Sequence, residues 1–157
     1  KKIVDLLIQN EATMGELYRV YAEKFPEYAK FWSDIHEDEK SHAAWINTLY
    51  HKLKAGMVSF SEQRFPISAI KENIKYIENE KAKTSQGEMS LGYALEKAVH
   101  IERGMIEHKF FDVLKDDSME LQILLQALRL GTEQHLQKVQ KAWEKEKGGA
   151  EFEKLSA

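Results

Sequence analysis

The chain has 157 residues, with Lys and Arg totalling 23, Asp and Glu totalling 26, and a formal net charge of -3. That length suits one soluble globular domain, and the balance of charge argues against nucleic acid as a partner, because phosphate-binding domains carry a basic excess. There is no cysteine, which excludes a disulfide scaffold, a thiol nucleophile and any Cys-ligated zinc or iron–sulfur site.

With only 8 Gly and 2 Pro, the chain lacks the punctuation that all-β folds need. No apolar run reaches the length of about 18 residues that a membrane span requires. The expected compartment is the cytoplasm, with no membrane partner. The chain opens KKIVDLL and not with Met, which leaves a trimmed leader open.

Helical periodicity dominates. The first helix is expected from about Ile3 to Lys24, with Ile3, Leu7, Glu11, Met14, Tyr18, Tyr21 and Phe25 on one inward line. Pro26 breaks it, and a second helix follows almost at once, too soon for anything but an antiparallel pair. It is expected over about Glu27 to Lys54, with the line Trp32, Ile35, Glu39, His42, Ile46, Leu49 and Leu53 in steps of three and four.

Residues 55–90 read as a long crossover. AGMVSFSEQRF has no helical period. Pro66 then opens a short helix with Ile67, Ile70, Ile74 and Ile77 on one side, suited to core or to a dimer surface. KAKTSQGEMS follows as a polar linker.

The third main helix is expected over about Leu91 to Leu114, with the line Leu91, Leu95, Val99, Glu102, Ile106, Phe110 and Val113. DDS supplies a turn, with Ser118 as an N-cap. The fourth is expected over about Met119 to Glu146, with Leu121, Leu124, Leu128, Thr132, His135, Val139 and Ala142 inward. The polar, glycine-interrupted end is expected to fray, which places a bundle at 1–147 and a flexible tail at 148–157. Two helix pairs joined by one long central crossover make an all-α, ferritin-like four-helix bundle, with a short extra helix in the crossover between its second and third helices.

Polar residues interrupt the four apolar lines: Glu11, Glu39 with His42, Glu102, and Thr132 with His135. A buried carboxylate without a partner costs several kcal/mol, so it stays neutral, finds a cation or binds metal. No Lys or Arg lies on these lines. Oxygen and nitrogen donors of this kind suit iron or manganese. Glu39 and His42 are three apart, so they share one helix face. A Glu/Asp-x-x-His pair alone is expected roughly once by chance in such a composition, and a lone core His is more often structural than a ligand. The weight rests on five ligand-type residues falling on four separate lines.

Glu16, Glu23, Glu37, Glu96 and Glu107 fall off the lines and are expected to face water, as are His36, His51, His100 and His108. Tyr18 shares the line of Glu11, where it is either a residue acting beside the site or a core tyrosine. Trp32, Trp45 and Trp143 read as packing residues.

These residues resemble the rubrerythrin-like branch of the ferritin-like di-iron carboxylate superfamily. The likeness runs from residue 3 to about 146. It is carried by EATMGELY from Glu11 with the following RVYAEKFPE, by DEKSHAAW around Glu39 and His42, and by ALEKAVHIERGMIEHKFF around Glu102. The resemblance implies two iron ions per chain, with manganese or zinc as substitutes. It implies Glu11 and Glu102 as terminal ligands, Glu39 as a bridge, and His42 and His135 as nitrogen ligands, a site beside which Tyr18 is placed as the candidate catalytic residue.

It further implies peroxide or dioxygen as substrate and an external electron donor, since no rubredoxin-type domain is present, while the Ile and aromatic residues of the crossover, which need cover, lead to an expected homodimer. The departure is Thr132, which stands where the family carries its fourth carboxylate. Two other readings follow from that departure or from the fold: a degenerate bundle serving as an interaction or stress-related binding protein, and an iron store.

Overall fold

The computed structural model describes residues 2–56, 67–107 and 119–156. Among them the chain is all-helical: α1 (Lys2–Lys24), a single 3-10 turn (Pro26–Tyr28), α2 (Ala29–Lys54), α3 (Ile67–Thr84), α4 (Leu91–Glu107) and α5 (Met119–Ser156). No described helix is long and apolar enough to cross a membrane.

Most of the expected apolar lines are buried, while Phe25, Leu91, Ile106, Leu124 and Ala142 are only partly so. Ile3, Leu7, Met14, Tyr18 and Tyr21 of α1, Trp32, Ile35, Ile46 and Leu49 of α2, Leu95 and Val99 of α4, and Leu128 and Val139 of α5 all lie in the core. Helical spacing places them there because residues three and four apart share a face. The remaining parts of the expected lines at Phe110 and Val113, the DDS turn, the Ser118 cap, His108 and AGMVSFSEQRF beyond Gly56 lie outside the described residues, as do the side chains of Leu53, Leu121 and Glu107. Gly56 closes α2 with φ +73, a backbone conformation that costs glycine little.

Between α1 and α2, Pro26 pre-sets the 3-10 turn and Tyr28 N–H bonds back to the Phe25 carbonyl at 2.9 Å. The turn is walled by aromatic rings. Trp32 stacks on Tyr18 at 5.6 Å between centroids and meets Tyr21 and Phe31 edge-on at 5.0 Å.

The helices pack as α1 on α2, α1 on α3, α4 on α5, and α2 on α5. The crossover helix is larger than expected. It spans 18 residues, takes in KAKT of the expected linker, and buries Ile70, Ile74 and Ile77 against α1. These isoleucines are covered within the chain, so they give no argument for a dimer. The α3–α4 link is pinned by Glu80, which is buried and accepts bonds from Tyr93 and Lys83 at 2.8 Å each. Ser90 caps α4 by accepting from the Tyr93 N–H at 3.1 Å.

The C-terminal end differs from expectation. α5 continues through Gly148 and Gly149 to Ser156. The Lys147 ammonium over the Trp143 ring at 5.1 Å lies at the start of this extension.

Candidate metal centre

Five polar side chains meet at one level of the helices. Glu11 comes from α1, Glu39 and His42 from α2, Glu102 from α4 and His135 from α5, and none is more than 3% exposed. Their positions on otherwise apolar lines bring them inward, as the spacing predicts.

Glu39 is the hub. Its Oε2 lies 3.0 Å from His42 Nδ1 and its Oε1 2.9 Å from His135 Nδ1. The two imidazoles stack with centroids 5.3 Å apart and planes 27° apart. Ligand atoms of Glu39, His42 and His135 all lie within 4.8 Å of one another. Glu11 Oε2 sits 3.3 Å from His42 Nδ1, and Glu102 Oε1 3.7 Å from His135 Nδ1. Tyr18 donates its hydroxyl to Glu102 Oε1 at 2.7 Å.

The electrostatics follow from burial against pairing. Burial disfavours the Glu39 charge, but hydrogen bonds from His135 and His42 outweigh it and lower its pKa to about 2. Burial disfavours charge on His42 too, and bonds to Glu11 and Glu39 overcome it, raising its pKa to about 10. His135 is raised to about 9, burial again opposing and the Glu39 bond prevailing. Glu11 is pushed up to about 7 by burial and then by the Glu39 charge. Burial and the Glu39 charge also push Glu102 well above the usual carboxylate range. Tyr18 is pushed well up by burial and the Glu102 charge. One carboxylate between two imidazoliums, flanked by two carboxyls driven towards neutrality, is how these side chains balance among themselves.

That balance is incomplete. Glu102 Oε2 is buried with no hydrogen-bond partner among the described residues, and Glu11 Oε2 has only the 3.3 Å ion pair with His42 Nδ1; buried polar atoms are normally paired. Both belong to carboxylates beside the imidazole pair. A donor set of carboxylate oxygens and imidazole nitrogens, with these two oxygens short of hydrogen bonds, fits a hard or borderline divalent metal.

Thr132 is buried on the expected line. Its hydroxyl donates to the Leu128 carbonyl of its own helix at 3.0 Å, so it is turned to backbone rather than into the cluster.

Four contributors escape a reading by residue type. Asp38, half-exposed, lies with Oδ2 3.2 Å from His135 Nε2. It immediately precedes Glu39 in the sequence, and only the approach of α5 reveals its role. Gly131 makes room for His42: a Cβ built there would meet His42 Nε2 at 2.6 Å. His36, expected in water, is largely covered and donates Nδ1–H to the Gly15 carbonyl at 2.7 Å. This ties α2 to α1 where the two backbones come close. Asn10, fully buried, sits beside Glu11 with its Nδ2 3.4 Å from Glu11 Oε1.

Glu23 and Glu37 are exposed and Glu16 is part-exposed, each in a local ion pair with Arg19 or Lys40. Glu96, His51 and His100 are exposed. Compared with protein-family models, curated proteins and solved structures, the chain finds no match.

Proposed function

We propose that the protein is a ferritin-like four-helix bundle of rubrerythrin type that holds two iron ions and reduces peroxide or dioxygen with electrons from an external donor. One observation carries the reading: a buried carboxylate–imidazole cluster drawn from four helices, with Glu102 Oε2 unpaired and Glu11 Oε2 held only by an ion pair with His42. In this reading α1, α2, α4 and α5 form the bundle and α3 belongs to the crossover.

Glu11, Glu39, His42, Glu102 and His135 would hold the metals, with Glu39 placed to serve both sides. Bound there, iron supplies the one-electron couples that reduction of an oxygen–oxygen bond requires. The protein's own part is placement and protons. Both imidazoles turn Nδ1 to the interior. His135 is steadied from outside by Asp38 at its Nε2, the outer carboxylate arrangement that orients a metal-binding histidine. Tyr18 holds Glu102 by one oxygen and leaves the other free. Protons held by His42, His135 and the two raised carboxyls must leave before those atoms can act as donors, so binding is coupled to pH. Leu7, Met14, Ile46, Leu128 and Val139, all buried one helical turn from the cluster residues or Thr132, would keep bulk water out.

Anaerobic Fe(II) titration tests the reading. The expected result is saturation at about two ions per chain, as in di-iron carboxylate bundles, and a new near-ultraviolet absorption on admitting oxygen. Absence of binding overturns it.

A second reading rests on Thr132, whose hydroxyl is committed to the Leu128 carbonyl. Three carboxylates instead of four would suit a degenerate bundle that acts as an interaction or stress-related binding protein. It predicts that Glu39→Ala and His42→Ala leave metal content unchanged.

A further inference from the structure

The crossover helix reaches the cluster. Asn73 of α3 donates its Nδ2–H to Asn10 Oδ1 at 2.7 Å. Asn10 in turn directs its Nδ2 at Glu11 Oε1, 3.4 Å away. The remaining surroundings of that amide are thioethers, Met14 Sδ and Met105 Sδ, each at 3.6 Å. Asn10 is fully buried and Met105 nearly so.

A buried amide among two thioethers, which are weak acceptors, has one good acceptor for its Nδ2, and that is Glu11. A strong donor at its Oδ1 fixes which way round the amide stands. With the amide reversed, Oδ1 would face the Glu11 carboxylate and two NH2 groups would face each other. Asn73 therefore sets the direction of Asn10, and Asn10 holds one oxygen of Glu11. The other oxygen, Oε2, takes no hydrogen bond and lies in an ion pair 3.3 Å from His42 Nδ1. Asn73 also stands on the buried side of α3 beside Ile70, Ile74 and Ile77, where an apolar residue would pack without needing a partner.

We propose that Asn73 is a positioning residue for Glu11, acting from the crossover helix through the amide of Asn10 to fix the carboxylate so that its second oxygen faces the imidazole pair. The inference rests on the metal reading of the site and adds to it a function for α3: the crossover helix tunes the centre as well as covering α1. The Asn10–Glu11 contact of 3.4 Å is at the long end of hydrogen-bond distance. Loss of a partner that orients a ligand typically weakens metal binding by about 10- to 100-fold.

The test compares Asn73→Leu, Asn73→Asp and the double variant Asn10→Ala/Asn73→Leu with the unaltered chain. Co(II) serves as the probe, read by its visible bands, and the structure of each chelated protein is read at Glu11. Asn73→Leu is expected to bind Co(II) 10- to 100-fold more weakly, with shifted bands and an unchanged melting temperature. Asn73→Asp offers only acceptors, so it turns Asn10 the wrong way round and is expected to bind more weakly still. Removing Asn10 as well is expected to add little to the loss.

A merely structural Asn73 would lower the melting temperature and leave both affinity and bands unmoved; that result overturns the proposal. So does an unshifted Glu11 carboxylate in chelated Asn73→Leu. If the unaltered chain takes up no Co(II), the metal reading falls. The position of Glu11 in the chelated variants then decides the positioning claim separately, displacement supporting it and constancy overturning it.

Discussion

Gly131 of α5 leaves open the space that the His42 imidazole of α2 fills, since a Cβ at 131 would lie 2.6 Å from His42 Nε2 and 2.8 Å from Cε1. Within a helix Gly is about 1 kcal/mol worse than Ala, so a free position would gain from Gly131→Ala. Here the ring must move instead. The variant is expected to lose about 1–3 kcal/mol of stability, the usual cost of overpacking, and to lose metal affinity with it. Chemical denaturation and a metal titration check both; a stabilised variant with normal binding contradicts the packing argument.

Thr132 supplies a second test. Thr132→Glu buries a further carboxyl at a position only 1% exposed. The chelated protein is expected to be destabilised by roughly several kcal/mol, the cost of a buried charge without a partner. Added metal is expected to restore that stability and bind more tightly than to the unaltered chain. Thermal melts with chelator and with Fe(II) or Mn(II) read this directly, and destabilisation that metal does not relieve would count against a shared centre.

Tyr18→Phe removes the hydroxyl that donates to Glu102 Oε1 at 2.7 Å. A single hydrogen bond of this kind contributes about 1–2 kcal/mol. The variant is expected to fold, to keep its metal stoichiometry, and to reduce peroxide more slowly because Glu102 is less well held. Stopped-flow kinetics on fully loaded protein measure it; an unchanged rate would leave Tyr18 a core residue only.

The pH dependence of stability has a definite sign. His42 and His135 are raised to about 10 and about 9, so their contribution is complete below the ordinary histidine range and fades as pH rises through those values. Glu11 is raised to about 7, so stability falls as pH passes from the ordinary carboxylate range through 7. Glu39, lowered to about 2, contributes above the ordinary carboxylate range and loses that contribution as pH falls towards 2. The chelated protein is therefore expected to be most stable on the acidic side of neutrality and to weaken steadily towards pH 10. Metal-loaded protein is expected to show the opposite slope above pH 5, because binding needs the same atoms deprotonated. Calorimetric scans across pH, with and without chelator, distinguish the two.

Much of the site was legible because one rule applied. A residue that can ligate metal, standing where a steady three-and-four spacing calls for an aliphatic one, must be carried inward. Glu11, Glu39, His42, Glu102 and His135 were all found that way, and the structure brings all five together. Asn73 and Glu80 lie beside the Ile70, Ile74 and Ile77 stripe and obey the same rule, but reading α3 as a minor helix hid them. Asp38 and Gly131 obey no such rule. Asp38 matters because α5 passes beside it, and Gly131 because His42 needs the room. Neither neighbour can be known before the helices are packed. His36 follows the same logic, since it is covered only because α1 packs over it and brings the Gly15 carbonyl within reach of its Nδ1. The helical continuation of α5 to Ser156 was obscured by Gly148 and Gly149, which weaken a helix without ending it.

The most direct measurement is a crystal structure of protein loaded anaerobically with Fe(II), with anomalous scattering collected at the iron edge. The account predicts two peaks among Glu11, Glu39, His42, Glu102 and His135, with Glu39 between them. Peaks only at surface carboxylates, or none with the His135–Glu39–His42 contacts intact, would contradict it.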